Sequence, residues 1–272
     1  MWTPSARPCT RFAPTTTEAE PVPEAEQAPG DSEFAASDIE LMRLHVDVLF
    51  IRDGSGHLKH LNVPSRPPPP LVYIGRVAGS VVCHYRQDLP DDLCGELNML
   101  AGTSMTDIRS REPAAFVGAV RGLLKTHVAV GDVWAGPAYR FPEKFPAGGD
   151  CIVVDRSNSS LLVGTFDDYI PELELVQPCV VLLVDGRPVT ICHSSRLSPN
   201  AAEAGIETLP AYRRRGLGAQ AVVKWASLVR EFGRTPLYST SWENTASQGL
   251  AKNLRLVQYG TDLHLSERQP GS

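Results

Sequence analysis

The chain has 272 residues, 42% of them hydrophobic, and a formal net charge of −5. That length and apolar content suffice for one large or two small globular domains with a buried core, and the negative charge excludes a general nucleic-acid or anionic-membrane binder. The cysteines, Cys9, Cys83, Cys94, Cys151, Cys179 and Cys192, form no CxxC pair and no Cys/His spacing suited to zinc, so they read as reduced structural thiols and no metal is expected.

Residues 1–36 are rich in Pro, Thr, Glu and Ala and poor in large apolar side chains, the composition of a disordered tail. They carry Arg7 and Arg11 but no apolar h-region, and no run of about 18 apolar residues occurs anywhere, so the expectation is a cytoplasmic protein with no membrane partner. Ser37-Asp38-Ile39-Glu40 has the spacing of a capping box and predicts the start of a short helix. The apolar run from His45 to Arg52 predicts a strand, turned back by Asp53-Gly54-Ser55-Gly56. Leu71 to Ile74 and Ser80 to Tyr85 predict a hairpin, and Pro90 to Leu100 and Glu112 to Val128 predict helices. The aromatic and proline-rich stretch Trp134 to Pro142 reads as a linker across the surface. Residues 37–145 therefore make an N-terminal α/β lobe whose role is not legible.

Beyond it, Cys151 to Val154 predicts a strand and Ser159 to Tyr169 a helix. Cys179 to Val184 and Val189 to Ser194, joined by Asp185-Gly186, have the dipeptide that a tight hairpin turn prefers. A strand over Glu203 to Leu209 then meets the turn Arg213-Arg214-Arg215-Gly216-Leu217-Gly218-Ala219. Ala219, Val222, Val223, Ala226 and Val229 mark the helix that follows, ending near Phe232-Gly233. Two glycines let backbone N–H groups converge on an anion, and the helix points its positive end at the same place. A strand over Leu237 to Trp242, a helix from Glu243 to about Arg255 opened by Asn244-x-x-Ser247, and a strand over Val257 to Leu265 complete a mixed sheet with helices on it.

The run Arg213-x-x-Gly216-x-Gly218 after a strand resembles the acyl-CoA pyrophosphate loop of the GNAT superfamily of N-acetyltransferases, and Asn244-x-x-Ser247 resembles that family's second signature. The resemblance covers roughly residues 150–266. It implies an α/β fold of mixed sheet, GNAT-like and acyl-CoA-binding, over residues 146–272, with the N-terminal lobe as an addition. It implies acetyl-CoA as co-substrate, an amine as partner and no nucleic acid. The pantetheine would pair with the backbone at Thr208 and Leu209. The pyrophosphate would take N–H groups from Arg214, Arg215, Gly216, Leu217, Gly218 and Ala219, with an arginine such as Arg213 adding charge-assisted bonds. Asn244 would reach the pantetheine arm, with Ser247 one turn along. One departure is Ala251, seven positions after Asn244, where the family often carries a tyrosine as general acid; another is Arg255-Leu256 where Gly-Phe is usual.

An amine with a pKa of about 10.4 costs on the order of 4 to 5 kcal/mol to deprotonate at neutral pH, so a base is expected. Strand alternation puts Glu203 and Glu207 on one face of the strand before the loop, and His193 stands on its neighbour. Without a tyrosine at Ala251, the thiolate would leave unassisted or take a proton from water or from another hydroxyl such as Tyr259. The function expected is transfer of an acetyl group to the primary amine of a small molecule. A non-catalytic acyl-CoA sensor and a protein N-acetyltransferase are the alternatives, and the acceptor and the oligomeric state are not legible.

Overall fold

The computed structural model describes residues 36–103, 107–145 and 148–268, so the tail expected over residues 1–36 lies outside them save for Ala36. Ser37 Oγ accepts from Glu40 N while the Glu40 carboxylate accepts from Ser37 N at 2.8 Å, and this reciprocal cap starts α1 (Asp38–Leu49). The strand expected from His45 shrinks to β1 (Phe50–Arg52), because Leu41, Met42, His45, Val46 and Leu49 share one buried helical face. Packing of that face outweighs the β preference of the valines. β1 pairs with β2 (Leu58–Leu61) in a small separate sheet.

The remaining elements follow as β3 (Val72–Val77), β4 (Ser80–Tyr85), α2 (Asp91–Thr103), α3 (Ala114–Leu124), β5 (Val130–Arg140) and β6 (Cys151–Val153). After short 3-10 turns, where one helix had been expected over 159–169, come β7 (Cys179–Val184), β8 (Arg187–Leu197) and β9 (Ala201–Thr208). The chain closes with α4 (Leu217–Glu231), β10 (Thr235–Ser239), α5 (Thr245–Asn253) and β11 (Val257–Glu267). Nine strands form one sheet in the order β4-β3-β11-β5-β10-β9-β8-β7-β6, antiparallel throughout except for the β9–β10 pair. The class is mixed α/β, as the sequence implies.

Two expectations give way here. The supposed linker Trp134–Pro142 lies largely in β5, a central strand held between β10 and β11. Since strands from both sides of residue 145 alternate in one sheet, the described residues from Ala36 onward fall in a single compact unit in place of a lobe and a separate domain. On one face α1 packs over Tyr73, Ala138, Ala201, Leu237 and Tyr259, which belong to five different strands. On the other, α2 and α3 cover Val72, Ile74, Leu263 and Leu265, while α4 and α5 cover Cys192, Ala202 and Tyr238.

Candidate active site

β9 and β10 are joined only where Ala201, Ala202 and Glu203 meet Thr235, Pro236 and Leu237; beyond that point β10 stays with β5 and β9 with β8, so the two strands fork. Leu209 N–H donates to Val189 O at 2.9 Å, and the alternation of an antiparallel ladder turns the N–H and C=O groups of Ile206 and Thr208 toward the edge that β10 has left. Arg213 Nε donates to Thr208 O at 2.9 Å and folds the chain into the turn. Arg214 and Gly216 take left-handed backbone angles, with φ of 61° and 76°, and Gly216 caps α4. Among the described residues no carbonyl accepts from the N–H groups of Arg214 through Ala219. Five of these residues, Arg214, Gly216, Leu217, Gly218 and Ala219, together with the positive end of a fifteen-residue helix, line one cavity of about 720 Å³.

That cavity is walled by the turn and α4, by the open edge of β9 at Ile206, Glu207 and Thr208, and by α5. Of the residues singled out in the sequence, the structure brings Glu207, Thr208, Arg213, Arg214, Gly216, Leu217, Gly218, Ala219, Asn244 and Ser247 to it. It does not bring Leu209, whose N–H is engaged with β8, or Arg215, whose guanidinium lies 5.2 Å from the centre of the Tyr212 ring. Asn244 Oδ1 accepts from Ser247 N at 3.0 Å as the cap of α5, which leaves its amide N–H groups as the donors facing the cavity.

A second cavity, of about 320 Å³, shares Ile206, Tyr238, Asn244 and Ser247 with the first and passes through the fork to the α1 face of the sheet. Glu203 stands at the fork and lines this second space. Its carboxylate is buried, with Oε2 3.8 Å from His45 Nε2 and without a hydrogen bond. Glu207 is exposed at the other end of β9, where it accepts from Tyr169 OH at 3.2 Å. The two carboxylates share a strand face but serve different cavities. His193 lines neither, and burial against the Tyr169 ring pushes its pKa down to about 4.

Ala251 is buried among the residues between α4 and α5 and does not line the larger cavity. Tyr259 is buried on the α1 face with its hydroxyl unpaired, and it lines neither cavity. The phenol that does stand at the junction is Tyr238 on β10, whose hydroxyl is 2.5 Å from Ser247 Oγ. Burial pushes its pKa up to about 12, the Ser247 hydrogen bond opposing part of that rise, so it is a neutral donor at pH 7. Sequence reasoning passed over Tyr238, because only the packing of α5 on β10 sets Ser247 beside it.

The fold and site define a mixed α/β protein with a helix start rich in free N–H groups beside a forked pair of parallel strands. Solved structures similar to it include a GCN5-related N-acetyltransferase-like protein from Streptococcus suis, 14% identical over 85% of this chain and 100% of that one, at a TM-score of 0.45. A GCN5-related N-acetyltransferase from Kribbella flavida is 18% identical over 88% of this chain and 98% of its own, at a TM-score of 0.43. An aminoglycoside N-acetyltransferase in complex with CoA is 19% identical over 45% of this chain and 97% of its own, at a TM-score of 0.34. At such scores these likenesses carry no weight beyond what this chain's own geometry gives. No protein-family model matches the sequence, and a search of curated proteins gives no match.

Proposed function

We propose that the protein transfers an acetyl group from acetyl-CoA to the primary amine of a small molecule. The observation that carries this reading is the continuity of the anion cradle at α4, the unpaired edge of β9 and the passage through the fork at Glu203. A pyrophosphate fits the cradle, an amide-bearing arm fits the strand edge, and a thioester at the arm's end reaches Ile206 and Tyr238. The acceptor amine approaches from the α1 face. Glu203 is there to take its proton as nitrogen attacks the thioester carbon, and Tyr238 is there to give one to the departing sulfur. Both groups sit away from bulk water, where hydrogen bonds to developing charge count for most.

Gly218 gives the direct test. It lies in the first turn of α4 with ordinary backbone angles, and a Cβ built there would meet Thr208 Oγ1 at 3.5 Å and Ile206 Cδ1 at 3.7 Å, both ordinary contact distances. Gly218→Leu fills the cradle without straining the chain, whereas Gly216→Val would force a branched residue into φ of 76° and confuse binding with folding. Gly218→Leu is expected to weaken acetyl-CoA binding at least tenfold by calorimetry with an unchanged melting temperature. Wild-type affinity in that variant would refute the cradle.

A further inference from the structure

The second cavity continues past the fork into a third, of about 250 Å³, with which it shares Trp134, Arg196 and Ser239. One side of this inner chamber is apolar and aromatic, with Leu49 and Phe50 from the end of α1 and the start of β1, Leu61 from β2, Pro70, and the Trp134 indole stacked on the His264 ring at 4.8 Å; Arg196, Ser239 and Ser266 add polar groups to the rest. His264 Nε2 is in turn held 3.0 Å from Asp262 Oδ2.

Arg196 and Glu203 are direct cross-strand partners on β8 and β9, beside the bulge at Ser195. Side chains so placed stand about 5 Å apart at Cβ, close enough for an ion pair. They do not form one. Glu203 approaches His45 instead, and among the described residues Arg196 has no acid within salt-bridge distance, while its buried Nε has no hydrogen bond. A guanidinium without an acid partner and a carboxylate with only His45 near it, at 3.8 Å, thus face one space a few ångströms from the expected thioester.

We propose that the acceptor is a free α-amino acid with an apolar side chain, an inference that rests on the acetyltransferase reading above. A zwitterion carries, side by side, the two charges opposite to those of Arg196 and Glu203. Arg196 takes the carboxylate, in the bidentate manner suited to a planar guanidinium, and Glu203 takes the amino group. The chamber of Leu49, Phe50 and Trp134 takes the side chain. In the reaction Glu203 takes one proton from the ammonium and the neutral nitrogen attacks; the C–N bond forms as the C–S bond breaks, and the sulfur takes a proton from Tyr238. The second proton lost by the nitrogen restores the Tyr238 phenol, so that the one net proton rests on Glu203 until water removes it. The product is an N-acetyl amino acid, whose lost ammonium charge removes its hold on Glu203 and favours release.

The test pairs each amino acid with its decarboxylated amine: phenylalanine against phenethylamine, leucine against isoamylamine, with CoA thiol release as the readout and acetyl-CoA affinity measured separately by calorimetry. The amino acids are expected to be preferred about 10- to 100-fold in kcat/KM, the worth of one charge-assisted contact. Arg196→Met is expected to bring that preference close to unity through KM, and Arg196→Lys to recover part of it. Acetyl-CoA binding without turnover of either amino acid, or with the decarboxylated amines used equally well, overturns this inference while leaving the cofactor reading intact. Failure to bind acetyl-CoA at all overturns both.

Discussion

At the scale of single residues, the reaction proposed is shared between two strands that part company, with Glu203 on the α1 side of the fork and Tyr238 on the α5 side. Glu203→Gln is expected to lower kcat by roughly 10²- to 10⁴-fold across the pH range below the amine's pKa, the usual cost of losing a positioned base. Glu207→Gln, at the exposed end of the same strand face, is expected to change kcat by less than about threefold; the reverse ranking would move the base to Glu207. Tyr238→Phe removes the proton donor and is expected to cost less than Glu203→Gln. A thiol of pKa about 8.5 lies only about 1.5 units above neutrality, so the unassisted thiolate costs roughly 2 kcal/mol, or about 30-fold in rate. His193 belongs to stability instead. Its folded pKa of about 4 lies below the ordinary 6.5, so the unfolded chain binds the proton first. Stability is full above about pH 6.5 and falls by about 3 kcal/mol as pH drops toward 4, levelling below that. Urea midpoints across this window should lose that slope in His193→Phe, whose ring can still pack on Tyr169.

At the scale of elements, what was legible was what local chemistry alone decides. The β7–β8 hairpin was visible because Asp185 and Gly186 take φ of 51° and 75°, the paired left-handed angles that an Asp-Gly turn supplies. The cradle at α4 was visible because its glycines and helix period sit within one short run. β5 was not visible, because Gly136 and Pro137 read as breakers, and the reason for the glycine lies elsewhere in the chain. Gly136 passes so close to the backbone at Thr240 that any Cβ would collide with its carbonyl oxygen. The acceptor chamber was illegible for the same reason, since Leu49, Trp134, Arg196 and His264 lie on four elements that only the finished sheet brings together. Long-range ion pairs are equally hidden. Arg76 on β3 is buried against Glu112, just ahead of α3, and holds that helix to the sheet with Phe116 under its guanidinium. Glu112→Ala removes the buried acid that faces this cation and should cost about 3 to 5 kcal/mol in denaturant unfolding. A loss below about 1 kcal/mol would show that other contacts of Arg76 hold the helix in place.

At the scale of the whole molecule, the site depends on chain segments that lie far apart in the sequence. The cradle, the open edge of β9 and α5 all come from residues after 200, yet β5 stands between β10 and β11 and supplies hydrogen bonds to both. Without residues 37–145, β11 loses both of its neighbours, β3 and β5, and β10 keeps only its three-residue pairing with β9. The burial of Leu237, Tyr259 and Ala201 under α1 would also be undone. Loss of packing on this scale exceeds the 5 to 15 kcal/mol margin of an ordinary domain. A fragment of residues 146–272 is therefore expected to show no cooperative thermal transition and no acetyl-CoA binding. Co-expression with residues 37–145 should restore both, because the missing strand and helix can be supplied in trans. A fragment that melted cooperatively with native-like circular dichroism would show that the C-terminal half is a domain in its own right, and that the strand from the first half is an accessory to it.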